Sequence, residues 1–267
     1  MVERVTKTEI ETALRTQWLG RRFTLFDSID STNDYLAGLE ASEANEGTMV
    51  LAEFQSAGKG RLGRSWTAPP GSSLLFSLLL TPNWPVDKAQ WLMMSAGLAV
   101  VRAVRDIAHV DVKLKWPNDI VAGAAAQWRK CGGILLEISV QDDIVEKAVM
   151  GIGLNVNISP EELDQMAELA TSFRAESGHT INRVSLLAAL LTSMEQYYEA
   201  AAAGISPFVE WKSALVTIGR TVRARSMVDG AVIEGAAFDT DTFGRLFIRD
   251  SAGKVHKLSA GDVTIVS

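Results

Sequence analysis

Residues 48–80 read TMVLAEFQSAGKGRLGRSWTAPPGSSLLFSLLL, and the rest of the chain is organised around this stretch. Its two ends, Thr48–Phe54 and Ser73–Leu80, are short apolar runs bounded by turn residues, a pattern typical of β-strands. Between them lies a glycine-rich loop, Gln55–Trp66, which leads into a turn at residues 67–71. The stretch therefore predicts two strands that carry a loop of unusual composition between them.

The loop combines glycine with positive charge. Glycine lets the backbone adopt positive φ and approach a ligand closely, and three basic side chains share the segment: Lys59, Arg61 and Arg64. This composition predicts an anion-binding site. The alternative is a solvated basic loop, because glycine-rich basic loops are individually weak signals. The net charge of −6 favours a local site over a surface that attracts nucleic acid or anionic membranes.

Bulk composition is that of a globular protein with one large domain and a small one. Of its 267 residues, 47% are hydrophobic and 22% are charged. Only one cysteine is present, Cys131, so no intramolecular disulfide can form and a reducing compartment is favoured. The sequence contains neither an apolar signal segment nor a stretch long enough to span a bilayer. We therefore expect a cytoplasmic protein.

Apolar periodicity divides the chain into helices, two hairpins and a β-rich end. It predicts helices over Glu3–Trp18, Asp34–Leu39, Gln90–Ile107, Glu161–Ala170, Arg183–Ala203 and Ser206–Ala214. One hairpin carries Arg129–Gly133 at its tip, and the next turns at Gln141–Asp143 and ends in Gly151–Asn157.

From Thr217 onward, short strands are broken by glycine, which predicts a small β-barrel or sandwich. The strands are Thr221–Arg225, Val232–Phe238, Arg245–Arg249, Lys254–Leu258 and Val263–Val266, with turns at Asp229-Gly230, Asp250–Gly253 and Gly261-Asp262. We place the domain boundary between Leu215 and Gly219, so the domains are residues 1–216 and 217–267.

Adjacent polar residues precede the helix predicted at Asp34–Leu39. Ser31, Thr32 and Asn33 are three neighbouring hydrogen-bonding side chains, whereas an N-cap requires only one. The cluster therefore indicates contact with a polar ligand. Helix capping alone stays open as the alternative, because caps are normally made of this residue set.

A second cluster, Lys115-Trp116-Pro117-Asn118-Asp119, follows the short strand Val110–Leu114. Proline cannot donate to a sheet ladder, so the cluster is expected at a strand end or bulge, where side chains can face a cleft. Asp119 is a candidate magnesium ligand against phosphate oxygens. The alternative is a simple ion pair between Lys115 and Asp119.

These segments favour phosphoryl or nucleotidyl transfer, because that chemistry depends mainly on positioning and charge stabilisation. Other catalytic arrangements are missing. Cys131 has no histidine near it in sequence and is expected to be a packing residue, and no Cys/His spacing fits zinc. The loop also lacks the Gly-Lys-Ser/Thr ending of a P-loop.

Five segments, in order and spacing, resemble the biotin protein ligases, also called biotin acetyl-CoA-carboxylase ligases. They are Asp30–Asn33, Gln55 with Gly58–Trp66, Lys115–Asp119, Lys130–Glu137 and Gly151–Asn157. The resemblance implies an α+β fold with a mixed β-sheet flanked by helices, similar to class II synthetases, and a C-terminal SH3-like barrel. It also implies two steps: biotin and Mg-ATP give biotinyl-5'-adenylate and pyrophosphate, and a lysine of a carboxylase's carrier domain then takes the biotinyl group.

Site residues follow from the same resemblance. Hydrogen bonds to biotin would come from Ser31, Thr32, Asn33 and Gln55, and Trp66 would line the biotin pocket. The adenylate would contact Lys59, Gly60, Arg61, Arg64, Gly132 and Gly133, with Asn155 near the nucleotide. Lys130 would reach the carboxylate that becomes the mixed anhydride, and Lys115 and Asp119 would serve ATP and magnesium. The catalytic residues would be Arg61, Lys115 and Lys130, with Asp119 holding magnesium. The loop would close over the intermediate and exclude water, so we expect it to be mobile before ligand binds.

The resemblance leaves three other readings to be tested: a lipoate or octanoyl ligase, a biotin-sensing repressor, and a non-catalytic biotin-binding module. Only about two dozen residues precede Phe23, too few for a usual independent domain, so we expect no nucleic-acid binding. The motif from Gln55 to Trp66 favours biotin over lipoate. Lys59 stands where many members have arginine, which keeps the charge but loses a planar fork.

Overall fold

The computed structural model describes residues 4–124, 127–164, 166, 170–226 and 230–266 of the chain. They form two β-sheets, together with helices that pack against the larger sheet. Within these ranges, no helix combines the length and hydropathy required to cross a bilayer.

The larger sheet contains the strands on both sides of the glycine-rich loop. Its strands are β1 (Phe23–Phe26), β2 (Met49–Ala52), β3 (Ser73–Leu80), β4 (Trp84–Pro85), β5 (Val112–Lys115), β6 (Asp119–Ala124), β7 (Gln127–Gln141) and β8 (Ile144–Asn155). Their order is β1-β2-β3-β8-β7-β6-β5, and β4 pairs with β8. Only β1 and β2 run parallel, so the sheet is mixed and the predicted fold class is confirmed.

Helices pack on both faces of this sheet. They are α1 (Lys7–Ala13), α2 (Thr32–Ala37), α3 (Ala89–Ala108), α4 (Pro160–Leu163), α5 (Phe173–Ser177), α6 (Arg183–Ala202) and α7 (Phe208–Ser213). α3 and α6 pack together over the main core, into which β3 directs Leu74, Phe76, Leu78 and Leu80. Because side chains alternate along a strand, Ser77 lies on the opposite face, against α2. One strand thus supplies both the core and the wall of a site.

The C-terminal strands form a separate sheet. They are β9 (Arg220–Ser226), β10 (Val232–Thr240), β11 (Leu246–Asp250), β12 (Val255–Leu258) and β13 (Gly261–Ile265), in the order β12-β11-β10-β9-β13. All neighbours are antiparallel, as expected for an SH3-like domain. Gly261 and Asp262 belong to β13, so the turn predicted there was wrong, and Asp229 of another predicted turn lies outside the described residues.

The first predicted helix was too long. Glu3 lies outside the described residues, and α1 ends at Ala13 instead of continuing to Trp18. The reason is tertiary: the buried carboxylate of Glu195 on α6 accepts hydrogen bonds from the backbone N–H groups of Gln17, Trp18 and Leu19. A carboxylate that satisfies successive backbone donors stabilises a non-helical turn, despite a helix-compatible sequence.

The helix predicted over Glu161–Ala170 was also wrong in extent. α4 stops at Leu163, and residues 165 and 167–169 lie outside the described part of the chain. Ala170 forms a β-bridge with Lys130 instead. α5, which the periodicity did not predict, follows with Ser172 as its N-cap.

The hairpin predicted to carry Arg129–Gly133 at its tip has a different geometry. These residues lie inside β7, paired with β6 on one side and, from Gly132 onward, with β8 on the other. Position 132 favours glycine, because a Cβ there would lie 2.6 Å from Cδ2 of Leu154 and 3.0 Å from the carbonyl oxygen of Gly153. Gly132 therefore marks a close approach within the sheet and not a turn.

Candidate active site

A cavity lies where the N-terminus of α2, the glycine-rich loop, β7, β8 and β13 meet. It unites segments that are far apart in sequence. The predicted residues along its wall are Ser31, Thr32, Asn33, Gln55, Lys59, Gly60, Arg61, Arg64, Trp66, Asp119, Lys130 and Gly133. The cavity has a polar end, lined by Ser31–Asn33 and Gln55 with Ser77 behind them, and a cationic end, lined by Lys59–Arg64, Asp119 and Lys130.

The polar end begins at the N-cap of α2. Ser31 caps the helix by accepting a hydrogen bond from the backbone N–H of Asp34. Gln55, at the start of the loop, orders the next residue: its Oε1 accepts from the backbone N–H of Thr32 at 2.8 Å and from the Thr32 hydroxyl at 3.1 Å. Capping thus accounts for Ser31, whereas Thr32 and Asn33 make contacts that a cap does not need.

Asn33 is buried and held from both sides. Its Nδ2 donates to Oε2 of Glu137 at 2.7 Å, and its Oδ1 accepts from the hydroxyl of Ser77 at 2.5 Å. Gly151 of β8 makes the space for it, since a Cβ at that position would lie 2.2 Å from Asn33 Oδ1. The amide is therefore fixed in place before any ligand arrives.

The glycine-rich loop folds back on itself. Trp66 N–H donates to the carbonyl of Gly58 at 2.8 Å, and Gly60 N–H donates to the carbonyl of Arg64 at 2.7 Å. A Cβ on Gly58 would lie 2.4 Å from the Trp66 carbonyl, so this return requires glycine. Gly153 of β8 leaves room for the Trp66 ring in the same way, with 2.7 Å to its Cε2.

The three loop cations have different partners. Lys59 forms an ion pair with Asp34 of α2, and Arg64 forms one with Asp262 of β13. Arg61 donates to Oδ1 of Asn118 at 3.0 Å and to the carbonyl of Gly261 at 3.4 Å. The loop therefore bridges the two sheets.

Burial and these contacts shift the pKa values of Arg61, Arg64 and Asp262. Burial lowers the pKa of the Arg61 guanidinium from its ordinary value, although the carboxylates of Asp119 and Asp262 oppose that shift. The hydrogen bond that Arg64 donates to Asp262 raises the pKa of Arg64, and the same bond lowers the pKa of Asp262. Both partners of this second pair are thus held in their charged forms.

Asp119 lies between two lysines. Its Oδ1 is 2.5 Å from Nζ of Lys130, and its Oδ2 is 3.6 Å from Nζ of Lys115. The Lys130 ammonium also lies 5.6 Å from the centre of the Trp66 ring. One carboxylate shared by two ammonium groups leaves an excess of positive charge for an anionic ligand.

Three predicted site residues do not line the cavity. Lys115 reaches it only through Asp119, and Gly132 packs against β8. Asn155 is buried behind it, where its Nδ2 donates to the carbonyl of Thr171 at 3.1 Å. Cys131 is fully buried, and burial raises the pKa of its thiol, in agreement with a packing residue.

Three further residues at this site had no predicted role: Ser77, Glu137 and Asp262. Ser77 carries a signal, because it interrupts the otherwise apolar run Leu74–Leu80 and is completely buried. Glu137 is the last residue of Lys130–Glu137, one of the five segments that carry the family resemblance. Asp262 carries no local signal, because it reaches the cavity only when the two sheets pack together.

Two segments of the chain match known protein families. Residues 25–155 match the Biotin/lipoate A/B protein ligase family, and residues 217–266 match the Biotin protein ligase C terminal domain. The chain is 31% identical to Bifunctional ligase/repressor BirA of Bacillus subtilis, over 98% of this chain and 79% of that protein. It is 32% identical to Biotin--[acetyl-CoA-carboxylase] ligase of Mycobacterium tuberculosis, over 95% and 94% respectively.

Among solved structures, the biotin protein ligase from Aquifex aeolicus in complex with biotin and ATP superposes with a TM-score of 0.73. The two sequences are 26% identical, and the match covers 92% of this chain and 99% of that one.

Proposed function

Because the chain belongs to the biotin protein ligase family, we propose that it joins biotin to a carrier protein at the expense of ATP. In the first step, a carboxylate oxygen of biotin attacks the α-phosphate of ATP, which gives biotinyl-5'-AMP and pyrophosphate. In the second step, the amine of a carrier lysine attacks the acyl carbon, an amide forms, and AMP leaves.

The observation that supports this function best is the division of one cavity into an uncharged and a charged end. Thr32 and Gln55 offer hydrogen bonds suited to the cyclic urea of biotin, whereas Arg61 and Lys130 offer charge suited to carboxylate and phosphate. Trp66 lies between the two ends, next to Lys130. A ligand with a urea at one end and a reacting carboxylate at the other matches this arrangement.

The cationic end supports the adenylation step. The attacking carboxylate and the α-phosphate are both anions, so charge must be neutralised as they approach. We assign this role to Arg61 and Lys130, and to Lys115 through its ion pair with Asp119, with Lys59, Gly60, Arg64 and Gly133 as further contacts to the nucleotide. Gly132 and Asn155, which were also candidates, would support the wall from behind. Trp66 and the loop exclude water from the reactive anhydride when they close.

Asp119 is the proposed ligand of magnesium. Magnesium usually takes one or two protein carboxylates and completes its shell with phosphate oxygens and water. Asp119 is a carboxylate of the cavity lining, so it can meet phosphate oxygens there, and a metal ion would have to displace its present partners, the ammonium groups of Lys115 and Lys130. When bound, the metal would supply charge stabilisation on the phosphate oxygens.

The domain division and the partner are part of the same proposal. We assign residues 1–216 to a catalytic domain and residues 217–267 to an SH3-like domain, a division supported by the ranges of the two family matches. The proposed partner is the biotin carboxyl carrier domain of a biotin-dependent carboxylase. A cytoplasmic location and the absence of nucleic-acid and membrane binding stay predictions from composition.

The test is transfer to a carrier. The full chain is incubated with biotin, ATP, Mg²⁺ and a purified biotin carboxyl carrier domain, and the carrier is weighed by mass spectrometry. We expect the mass of one biotinyl group on the carrier only when ATP is present. Transfer of lipoate in place of biotin, or tight biotin binding without any transfer, would contradict the proposal.

A further inference from the structure

The glycine-rich loop carries one amine among its cations. Arg61 and Arg64 are guanidinium groups, which stay protonated in proteins, whereas Lys59 ends in an amine that can lose its proton. A neutral lysine amine is a nucleophile that attacks activated acyl groups. The loop therefore contains one side chain that a reactive acyl group can modify.

Lys59 stands beside the place where such an acyl group would form. It lines the cavity together with Arg61, Trp66 and Lys130. Across the folded-back loop it forms an isolated β-bridge with Ser65, the neighbour of Trp66. In the proposed function the carboxylate of biotin becomes a mixed anhydride near Trp66 and Lys130, so a flexible four-carbon side chain at position 59 has access to the acyl carbon.

Asp34 restrains this amine. Its carboxylate, one residue after Asn33 in α2, forms an ion pair with the Lys59 ammonium and is not part of the cavity lining. The hydrogen bond in this pair raises the pKa of Lys59, and the charges of Asp34 and Glu137 act in the same direction. A protonated amine has no lone pair with which to attack, so the pair both directs and protects the side chain.

Lys130, the other lysine of the described lining, is held differently. Its Nζ lies 2.5 Å from Oδ1 of Asp119, which lines the same cavity. In the proposed function it also meets the anionic groups of the ligand, and these favour its charged form. The side chains of Lys59 and Asp34 are 45% and 51% exposed, so the restraint on Lys59 is a weak surface pair.

We propose that Lys59 is an internal acceptor of the biotinyl group and that its ion pair with Asp34 limits this self-modification. The Lys59 ammonium first gives one proton to water. Its nitrogen then attacks the acyl carbon of biotinyl-5'-AMP, an amide bond forms, the bond from the acyl carbon to the phosphate oxygen breaks, and AMP leaves as the nitrogen loses a second proton. The step rests on the proposed function, because it consumes the intermediate of that reaction and needs no further reactant.

Modification would slow the enzyme. An acylated Lys59 is neutral and larger, so it neither pairs with Asp34 nor contributes charge at the cationic end. Pyrophosphate release by the native chain should therefore decline as the label accumulates, and Lys59→Arg should show no such decline.

The experiment follows the label on the full chain with biotin, ATP and Mg²⁺ and without a carrier. The chain is digested with a protease that cuts at acidic residues, and mass spectrometry gives the biotinylated fraction of each lysine over time. Lys7 and Lys113 serve as internal references, because each is an exposed lysine that also pairs with a carboxylate. Because amine and acyl group share one cavity, label at Lys59 should form about 10-fold faster than at the references, with a rate constant independent of chain concentration.

Two matched variants test the restraint. Asp34→Asn removes the charge that holds Lys59, so label at this lysine, expressed per pyrophosphate released, should form about 10-fold faster than in the native chain. Asp111→Asn removes the partner of Lys113 in the same way, away from the cavity lining, and should leave the label at Lys113 at its reference rate.

The outcomes separate the inference from the function on which it rests. If pyrophosphate is released but Lys59 is labelled no faster than Lys7 and Lys113 in both the native chain and Asp34→Asn, Lys59 is not an acceptor. Labelling that accelerates with chain concentration would contradict an internal transfer, and equal rates in the native chain and Asp34→Asn would contradict the restraint. Absence of pyrophosphate release from the native chain would instead overturn the proposed function, and this inference with it.

Discussion

The two ends of the cavity are held by different forces. At the polar end, Thr32, Asn33 and Ser77 are buried, uncharged and hydrogen-bonded to one another, with room made by Gly151. At the cationic end, the ion pairs Lys59–Asp34 and Arg64–Asp262 are largely exposed. Exposed ion pairs contribute little and are weakened by salt, whereas buried networks are costly to disturb.

Because of this difference, the two ends suit different steps of ligand binding. A preorganised polar end can recognise one ligand without rearrangement, because its groups are already aligned. An end held by weak ion pairs can exchange its carboxylate partners for those of a ligand and close over it.

Replacing Lys130 by alanine should damage the chemistry most. It removes a cation next to Asp119 at the cationic end, so the rate of pyrophosphate release should fall on the order of 10²–10³-fold. Lys113→Ala is the control, because Lys113 pairs with Asp111, away from the cavity lining. A rate for Lys130→Ala equal to that of the control would remove Lys130 from the catalytic step.

Replacing Gly151 by alanine tests the preorganised end. The added Cβ would lie 2.2 Å from Asn33 Oδ1 and displace it, and overpacking of this kind costs typically 1–3 kcal/mol. Biotin affinity, measured by calorimetry, should fall about 10–100-fold while ATP affinity changes little. Gly38→Ala, with its nearest atom 3.5 Å away, should leave biotin affinity unchanged. Equal losses of biotin and ATP binding would show that the two ends are not independent.

Replacing Arg61 by glycine should release the intermediate. Arg61 is a partly buried cation of the loop, held by Asn118 and Gly261, and the adenylate should lose a charge-assisted hydrogen bond with it. We expect dissociation of biotinyl-5'-AMP about 10-fold faster in a filter-retention assay. Unchanged retention would show that the loop does not hold the adenylate.

Ligand should protect the loop from proteolysis if it acts as a lid. Trypsin cuts after lysine and arginine, and the loop offers Lys59, Arg61 and Arg64. Cleavage in this segment should be rapid in the free protein and several-fold slower with biotin and ATP, as judged by mass spectrometry of the fragments. Resistance in the free protein would contradict a mobile lid.

Breaking the pair of Arg64 with Asp262 should have the smallest effect. Both side chains are largely exposed, so Asp262→Asn should destabilise the loop by about 0–1 kcal/mol, visible as faster hydrogen exchange over residues 58–65. Arg64 lowers the pKa of Asp262, so the pair stabilises the folded state above the ordinary carboxyl value and weakens as the pH falls through the lowered one. If protection from hydrogen exchange over residues 58–65 did not change at acidic pH, the ion pair between Arg64 and Asp262 would not be what holds the loop.

Local patterns anticipated most of the architecture. The long apolar helices α3 and α6, the strands around the glycine-rich loop and the C-terminal strands follow from periodicity and turn residues. Where these local patterns predicted the wrong structure, the cause is a contact between residues that are distant in sequence. Glu195 holds residues 17–19 in a turn by hydrogen bonds across the fold, and Gly132 of β7 packs closely against the neighbouring strand β8.

The sequence by itself determined which residue types are available: three cations among glycines, polar groups at one N-cap, and Lys115 with Asp119 at a strand end. These are short-range properties, because glycine, charge and capping act within a few residues. Only the tertiary structure decided that Glu137 and Ser77 direct Asn33, that Asp262 joins the site, and that Lys130 faces Asp119. Those contacts join residues more than 10 positions apart. Strand pairing and the packing of α2 against the larger sheet set the distances around Asn33 and Asp119, and the contact between the two sheets sets that of Asp262.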